Sequence, residues 1–320
     1  MNFTKLSFAT WMLVIAASCF ASQDSVKVVK GQVSDYYIPV VNEYELTGIV
    51  TDEHDQPLER PSSFGNDEEM LDYIEKTHLN YMWEGANANS GLAPERIHLD
   101  GIYPQNDKHV ITTGGSGFGI AGLLAGIDRG YIDRTEGVKR LTKIVDFLGK
   151  ADRHHGVWSH WIDGNTGRTV PFGQKDDGGD LVESSFLMAS LLCVRQYFEN
   201  GNEQEKLLAS HIDKLWKEME FDWYRRGGQD VLYWHWSPNY GWDMNFPLEG
   251  YNECLITYIL GVSSPTHSIP AACYHKGWAR SGGIKSNAKP YGYPLELKHN
   301  GAEQTGGPLF WAQYSYIPRT

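Results

Sequence analysis

The sequence predicts an all-α toroid of helical hairpins, with long aromatic loops and short β-hairpins gathered on one rim. Three observations point there. Charged amphipathic segments alternate along the chain with segments that are apolar nearly all round. The apolar segments begin near residues 115, 180, 250 and 308, a spacing of about 60 to 70 residues that suits one helical hairpin used repeatedly. The loops leading into them are rich in glycine, asparagine, proline and aromatic residues. If each hairpin turns its apolar helix inward, the units curve into a ring, and every long loop lands where the buried helices start.

The chain opens on MNFTKLSFATWMLVIAASCFAS, in which Lys5 precedes an apolar stretch from Leu6 to Ala17 and a small-residue exit. That is the layout of a secretory signal over residues 1–21. Ala16-Ala17-Ser18-Cys19 also has the form of a bacterial lipoprotein cleavage site, so a lipid on Cys19 is a candidate membrane anchor. After Ala21 no apolar run reaches the ~20 residues that span a bilayer. The expected setting is the periplasm or the outer membrane of a Gram-negative bacterium.

Residues 22–65 are polar, with β-like pieces VKVVKGQV, YYIPVV and ELTGIV, and form a leader. The main domain is expected over 66–320. It starts where Met70, Leu71, Ile74, Tyr81 and Met82 recur near a 3.6 period behind the acidic turn Asp67-Glu68-Glu69. Further helices are expected at about 115–130, 134–150, 181–199, 203–221, 250–261 and 308–317. Those at 134–150 and 203–221 are charged on one side and belong outside; those at 115–130, 181–199 and 250–261 belong inside.

Composition narrows the chemistry. A chain of 320 residues that is 41% hydrophobic and 13% aromatic can bury a large core. A formal charge of −12, with no run of Lys and Arg among aromatics, excludes a nucleic-acid partner. Beyond Cys19 only Cys193, Cys254 and Cys273 remain, without CxxC spacing, so no disulfide framework is expected and the first two read as core residues. His154, His155, His160 and His235 form no HxxxH or HExxH pair, and residues 176–180 do not match a calcium loop. No metal and no cofactor are expected, and the chain is expected to be a monomer. Gly114 to Gly119 lacks the GxGxxG register, so its glycines serve close helix packing or the approach of a sugar to backbone.

The rim is where chemistry concentrates. KDDGGDLVESSF (175–186) carries Asp176, Asp177, Asp180 and Glu183. Asp180 and Glu183 have capping-box spacing, in which a side-chain oxygen caps the helix and the acid three residues on reaches back to the cap's own N–H. Asp176 and Asp177 stand outside that box, and like charges so close need water, a cation or a substrate between them. His160-Trp161 precedes Asp180 by 20 residues, and His235-Trp236 precedes Glu253 by 18. The two segments therefore deliver Asp180, Glu183, Glu249 and Glu253 beside Trp158, Trp161, Trp234, Trp236, Tyr240 and Trp242. Flat aromatics stack on sugar C–H faces, and paired carboxylates cleave glycosidic bonds.

Five ordered stretches carry a family resemblance: YMWEGANANSGLAPER (81–96), TTGGSGFGIAGLLAGIDRG (112–130), DDGGDLVESSFLMASLL (176–192), WSPNYGWDMN (236–245) with EGYNE (249–253), and GGPLFWAQYSY (306–316). Together they resemble the bacterial glucoamylase-like family, which includes β-1,2-glucanases and domains of cyclic β-1,2-glucan synthases. The resemblance implies an (α/α)6 toroid and inverting, metal-free hydrolysis of β-1,2-glucan to sophorose or short oligosaccharides. Carried over by position, it implies catalytic roles for Asp176, Asp180, Glu183 and Glu253. Aromatic subsites fall near Trp158, Phe172 and Trp242; His160, Tyr240 and Glu249 join them as substrate contacts. Glu253, at the start of an apolar helix, is the expected acid, Asp180 or Asp176 the base, and Glu183 a group that orients sugar or water. The family pattern continues with further helices after its GGPLFWAQYSY-like motif, so the C-terminal helices of the toroid are expected to be missing from this chain. Two other readings stay open: a glucan-binding protein without catalysis, and a toroid glycosidase of another linkage.

Overall fold

The computed structural model describes residues 61–319 except Leu99. The expected signal segment, Cys19 and nearly all of the 22–65 leader lie outside the described residues. Two compact units divide after Gly85. In the first unit, α1 (Asp67–Trp83) is opened by Asn66, whose side chain accepts from the Glu69 N–H. None of the described helices is long and apolar enough to cross a membrane.

The second unit is mostly helical. After β1 (Val110–Thr112) come α2 (Thr113–Asp128) and α3 (Arg134–Lys150). Four short strands follow: β2 (Arg153–His154), β3 (Val157–Trp158), β4 (Trp161–Asp163) and β5 (Thr169–Val170). Then come β6 (Gly179–Asp180), α4 (Leu181–Phe198), α5 (Glu203–Lys217), β7 (His235–Trp236) and α6 (Leu255–Ser263). All strand pairs are antiparallel: β1-β4-β5, β2-β3 and β6-β7.

Inner and outer helices separate as their patterns require. On α3 and α5 only one stripe is buried, Leu141, Ile144, Val145 and Leu148 on the first and Leu208, Ile212, Leu215 and Trp216 on the second. On α2 and α4 buried positions run all round the helix, 11 of 16 and 12 of 18 residues. Helix α4 packs on α2, α5 and α6, and α3 packs on α5, so charged helices cover buried ones in the hairpin arrangement of an α/α toroid. The α2–α4 contact is tight. A Cβ on Gly117 would stand 2.7 Å from the Leu187 and Phe186 backbone, so this glycine of α2 serves helix packing.

Helix ends show why sequence bounds shift. Asp133 caps α3, and Asn202 with Glu205 forms a full capping box on α5. The segment expected as a helix over 308–317 is instead two 3₁₀ turns, Leu309–Ala312 and Tyr314–Arg319. Gln313 between them leaves helical geometry at φ −120.

Candidate active site

Three helix starts converge on one group of carboxylates. Asp180 is the N-cap of α4, and its Oδ1 accepts from the N–H groups of Val182 and Glu183 at 3.0 and 2.9 Å. Its Oδ2 lies 3.0 Å from His160 Nδ1, and the side chain is fully buried. The cap half of the expected box is present, whereas its return arm is not. Glu183 reaches across to α2 instead, where the Gly114 N–H donates to its Oε2 at 2.8 Å. The physical reason is the open α2 N-terminus: its orphan N–H and positive dipole end attract a carboxylate more than the occupied turn below Asp180 does. A Cβ on Gly114 would occupy the position of the Glu183 carboxylate.

The same helix start fixes His160. Thr113 N–H donates to the His160 carbonyl at 3.0 Å, and Thr113 Oγ1 donates to the Ser159 carbonyl. The His160 ring stacks on Phe172 with centroids 4.1 Å apart, and Phe172 is half exposed. Trp161 meets the other edge of Phe172 at 4.8 Å, with the Arg96 guanidinium 6.0 Å from its ring.

The two glycines that interrupt the acidic run answer to β7. Gly179 pairs with Trp236 and Asp180 with His235. A Cβ on Gly178 would collide with the Trp236 carbonyl, and one on Gly179 with the Tyr224 hydroxyl. Close strand approach brings the buried His235 beneath Asp176, with Nε2 2.9 Å from Oδ1. Asp177 turns away to accept from Ser237 Oγ and from Asn239 Nδ2, tying down the 237–241 turn, and these bonds hold its pKa below the usual carboxylate value despite some desolvation.

Glu253 comes in from α6. It precedes Cys254, which occupies the N-cap position and makes no side-chain cap bond. The cap is supplied from elsewhere: Ser315 Oγ accepts from the Ile256 N–H at 3.1 Å and donates to the Glu253 carbonyl. Burial pushes the Glu253 carboxyl up to about 7, with repulsion from nearby Asp180 adding to the shift. Its Oε2 is buried without a hydrogen-bond partner among the described residues. Glu183 is likewise pushed up to about 7, first by burial and further by Asp180, against the pull of the His160 cation and the Gly114 N–H. For His160 burial works downward, yet the facing Glu183, Asp180 and Asp176 carboxylates outweigh it and push the imidazole up to about 10.

The structure thus assembles Asp176, Asp180, Glu183, Glu253, His160 and Phe172 around one centre. Trp158 is a correction. It is fully buried, its Nε1 donates to the Leu148 carbonyl at 3.0 Å, and its backbone is pinned to α4 by Ser184, so it braces the rim from within and offers no face to a sugar. Trp242 is half-buried in a cluster with Tyr233, Tyr224 and Trp223, and Tyr240 is exposed on the 237–241 turn. Glu249 is half-buried, its carbonyl accepting from Asn300 Nδ2. The Gly114 N–H, His235 at Asp176 and Ser315 at α6 are contacts that sequence reasoning missed. Only His235 left a signal, the matching His-Trp pairs at 160 and 235. His160, Asp176 and Asp180 also present ligand-type atoms within 4.8 Å of one another, a set that could hold a cation. In the arrangement described, His160 is spent on Asp180 and carries a proton.

Clustered carboxylates at the starts of buried helices, two of them pushed up to about 7, beside an exposed ring, define an acid–base site on a helical-hairpin scaffold. The chain is a relative of the glucoamylase-like proteins. Residues 245–318 match the family described as "Putative glucoamylase". Over 269 residues the chain is 45% identical to an exo β-1,2-glucooligosaccharide sophorohydrolase of Parabacteroides distasonis, covering 78% of this chain and 36% of that protein. It is 61% identical to the endo-β-1,2-glucanase of Chitinophaga pinensis, whose structure holds sophorotriose and glucose. The TM-score is 0.76, over 78% of this chain and 60% of that one. A β-1,2-glucanase structure from Parabacteroides distasonis matches at 43% identity and TM-score 0.73, over 80% of this chain and 38% of that one. The chain therefore spans about a third of the length of the curated relative and about three fifths of the Chitinophaga enzyme.

Proposed function

We propose that this chain carries the acid–base centre of a glycoside hydrolase that cleaves β-1,2-linked glucan with inversion, acting in the periplasm or at the outer membrane after export. The observation that supports it most is the pair of roles left by the geometry. Glu253 is neutral up to about pH 7 and has an unpartnered buried oxygen, as a proton donor to a glycosidic oxygen needs. Both oxygens of Asp180 are committed, so Asp176 is the better base of the two candidates.

In this reading Glu253 protonates the leaving oxygen as the C1–O bond breaks. Water attacks C1 from the opposite face and gives its proton to Asp176, so the product has inverted configuration. Phe172 offers a stacking face. The β-1,2 linkage rests on the relatives named above.

Purified protein is expected to release sophorose or short β-1,2-oligosaccharides from β-1,2-glucan, in the presence of a chelator as well as in its absence. Glucose release from starch with β-1,2-glucan untouched would sink the linkage. Loss of activity on chelation, restored by a divalent ion, would turn the His160–Asp176–Asp180 set into a metal centre.

A further inference from the structure

We propose that His235 is a positioning residue for Asp176, holding one carboxylate oxygen so that the other faces the attacking water; the proposal rests on the hydrolytic reading above. The His235 side chain is 2% exposed, and its Nε2 lies 2.9 Å from Asp176 Oδ1. Neither ring nitrogen, nor Asp176 Oδ1, has a hydrogen-bond partner among the described residues, so the 2.9 Å approach sets two buried, otherwise unsatisfied polar atoms against each other. The other carboxylates are taken. Asp177, which also faces this ring, is held by Ser237 and Asn239, and Asp180 by its helix and His160.

A buried imidazole without a use is a poor choice for a strand position that an apolar residue would fill, because an unpaired buried polar group forfeits its hydration without compensation. The surroundings are also built for the contact. Gly178 and Gly179 give up their side chains so that β7 can lie against the acidic run. Asp176 is the acid that helix capping left unexplained, and His235 explains how it is held. With the Nε2 tautomer, a small turn of the ring would align its N–H on Oδ1, fix the carboxylate plane and leave Oδ2 to accept a proton.

Two measurements test this on the full chain. In imidazole-nitrogen NMR spectra, Asp176→Asn is expected to move the His235 Nε2 resonance, and an unchanged resonance overturns the proposal whether or not any glucan is cleaved. In kinetics, His235→Phe is expected to lower kcat about 100-fold with KM within about twofold, and His235→Gln, which keeps an N–H near the Nε2 position, to recover at least about tenfold. In an Asp176→Asn background, His235→Phe is expected to cost less than about threefold, because its target is already gone. Fully additive losses, or equal losses in the Phe and Gln variants, overturn the proposal. Wild-type protein inactive on every glucan would sink the hydrolytic reading instead, and the NMR arm still decides whether His235 holds Asp176.

Discussion

Asp180 does two jobs with two oxygens: one caps α4, the other faces a protonated His160. Asp180→Asn keeps the cap acceptor but removes the charge. It is expected to lower the His160 pKa, measured by proton NMR titration, and to destabilise the protein by about 1.5–3 kcal/mol, the worth of a charged hydrogen bond. A cap alone would cost at most about 1 kcal/mol and leave His160 unmoved. The cap was legible in the sequence, because Asp before an apolar helical run is a local signal. The Glu183 partner was not: spacing of three residues says nothing about a second helix whose N-terminus lies alongside. Trp158 was misread for a related reason, since a loop tryptophan looks the same in sequence whether its ring faces sugar or packs inward.

At the level of elements, inner and outer helices were legible because burial on all sides and burial along one stripe leave different hydropathy patterns. Helix α6 was harder. Its start came out later than the expected residue 250, since Cys254 offers no side-chain cap and the bond comes from Ser315, 59 residues beyond Ile256. The 3₁₀ turns at 309–312 and 314–319 bring Ser315 to the start of α6. Ser315→Ala leaves the Ile256 N–H without its acceptor and is expected to cost about 0.5–2 kcal/mol, read as a lowered midpoint in urea. Because Glu253 sits at this helix start, the same variant is expected to lose activity, whereas Ser315→Thr, which retains the hydroxyl, is expected to lose less of both.

Across the whole molecule, the site imposes a pH dependence on stability. Glu183 and Glu253 start from 4.5 and are raised to about 7, and His160 from 6.5 to about 10. A raised group binds its proton more tightly in the folded state, so its contribution is full below the unfolded pKa and is lost as pH climbs through the folded one. The carboxylates lose theirs between about 4.5 and 7, and His160 between 6.5 and about 10. All three slopes have the same sign. Burial lowers His78 and His154, whose slope near pH 6.5 runs the other way, but the three larger raised groups set the direction, so Tm is expected to be higher at pH 5 than at pH 8. In Glu253→Gln the fall between pH 4.5 and 7 is expected to be shallower, and an unchanged slope in differential scanning calorimetry would contradict the raised pKa. Sequence indicated the burial of Glu253 through the apolar run after it. It could not indicate the proximity of Asp180, because that depends on how α4 and α6 pack.

The reliance of α6 on Ser315 also has a temporal side. During translation α6 leaves the ribosome well before Ser315 does, with its first amides bare and the segment bearing Glu253 unanchored. Assembly of the carboxylate group is thus deferred until the later segment folds back, a long-range closure that local helix formation cannot replace. A nascent chain halted between the two would hold Asp176 and Asp180 in place while the segment bearing Glu253 stayed unanchored.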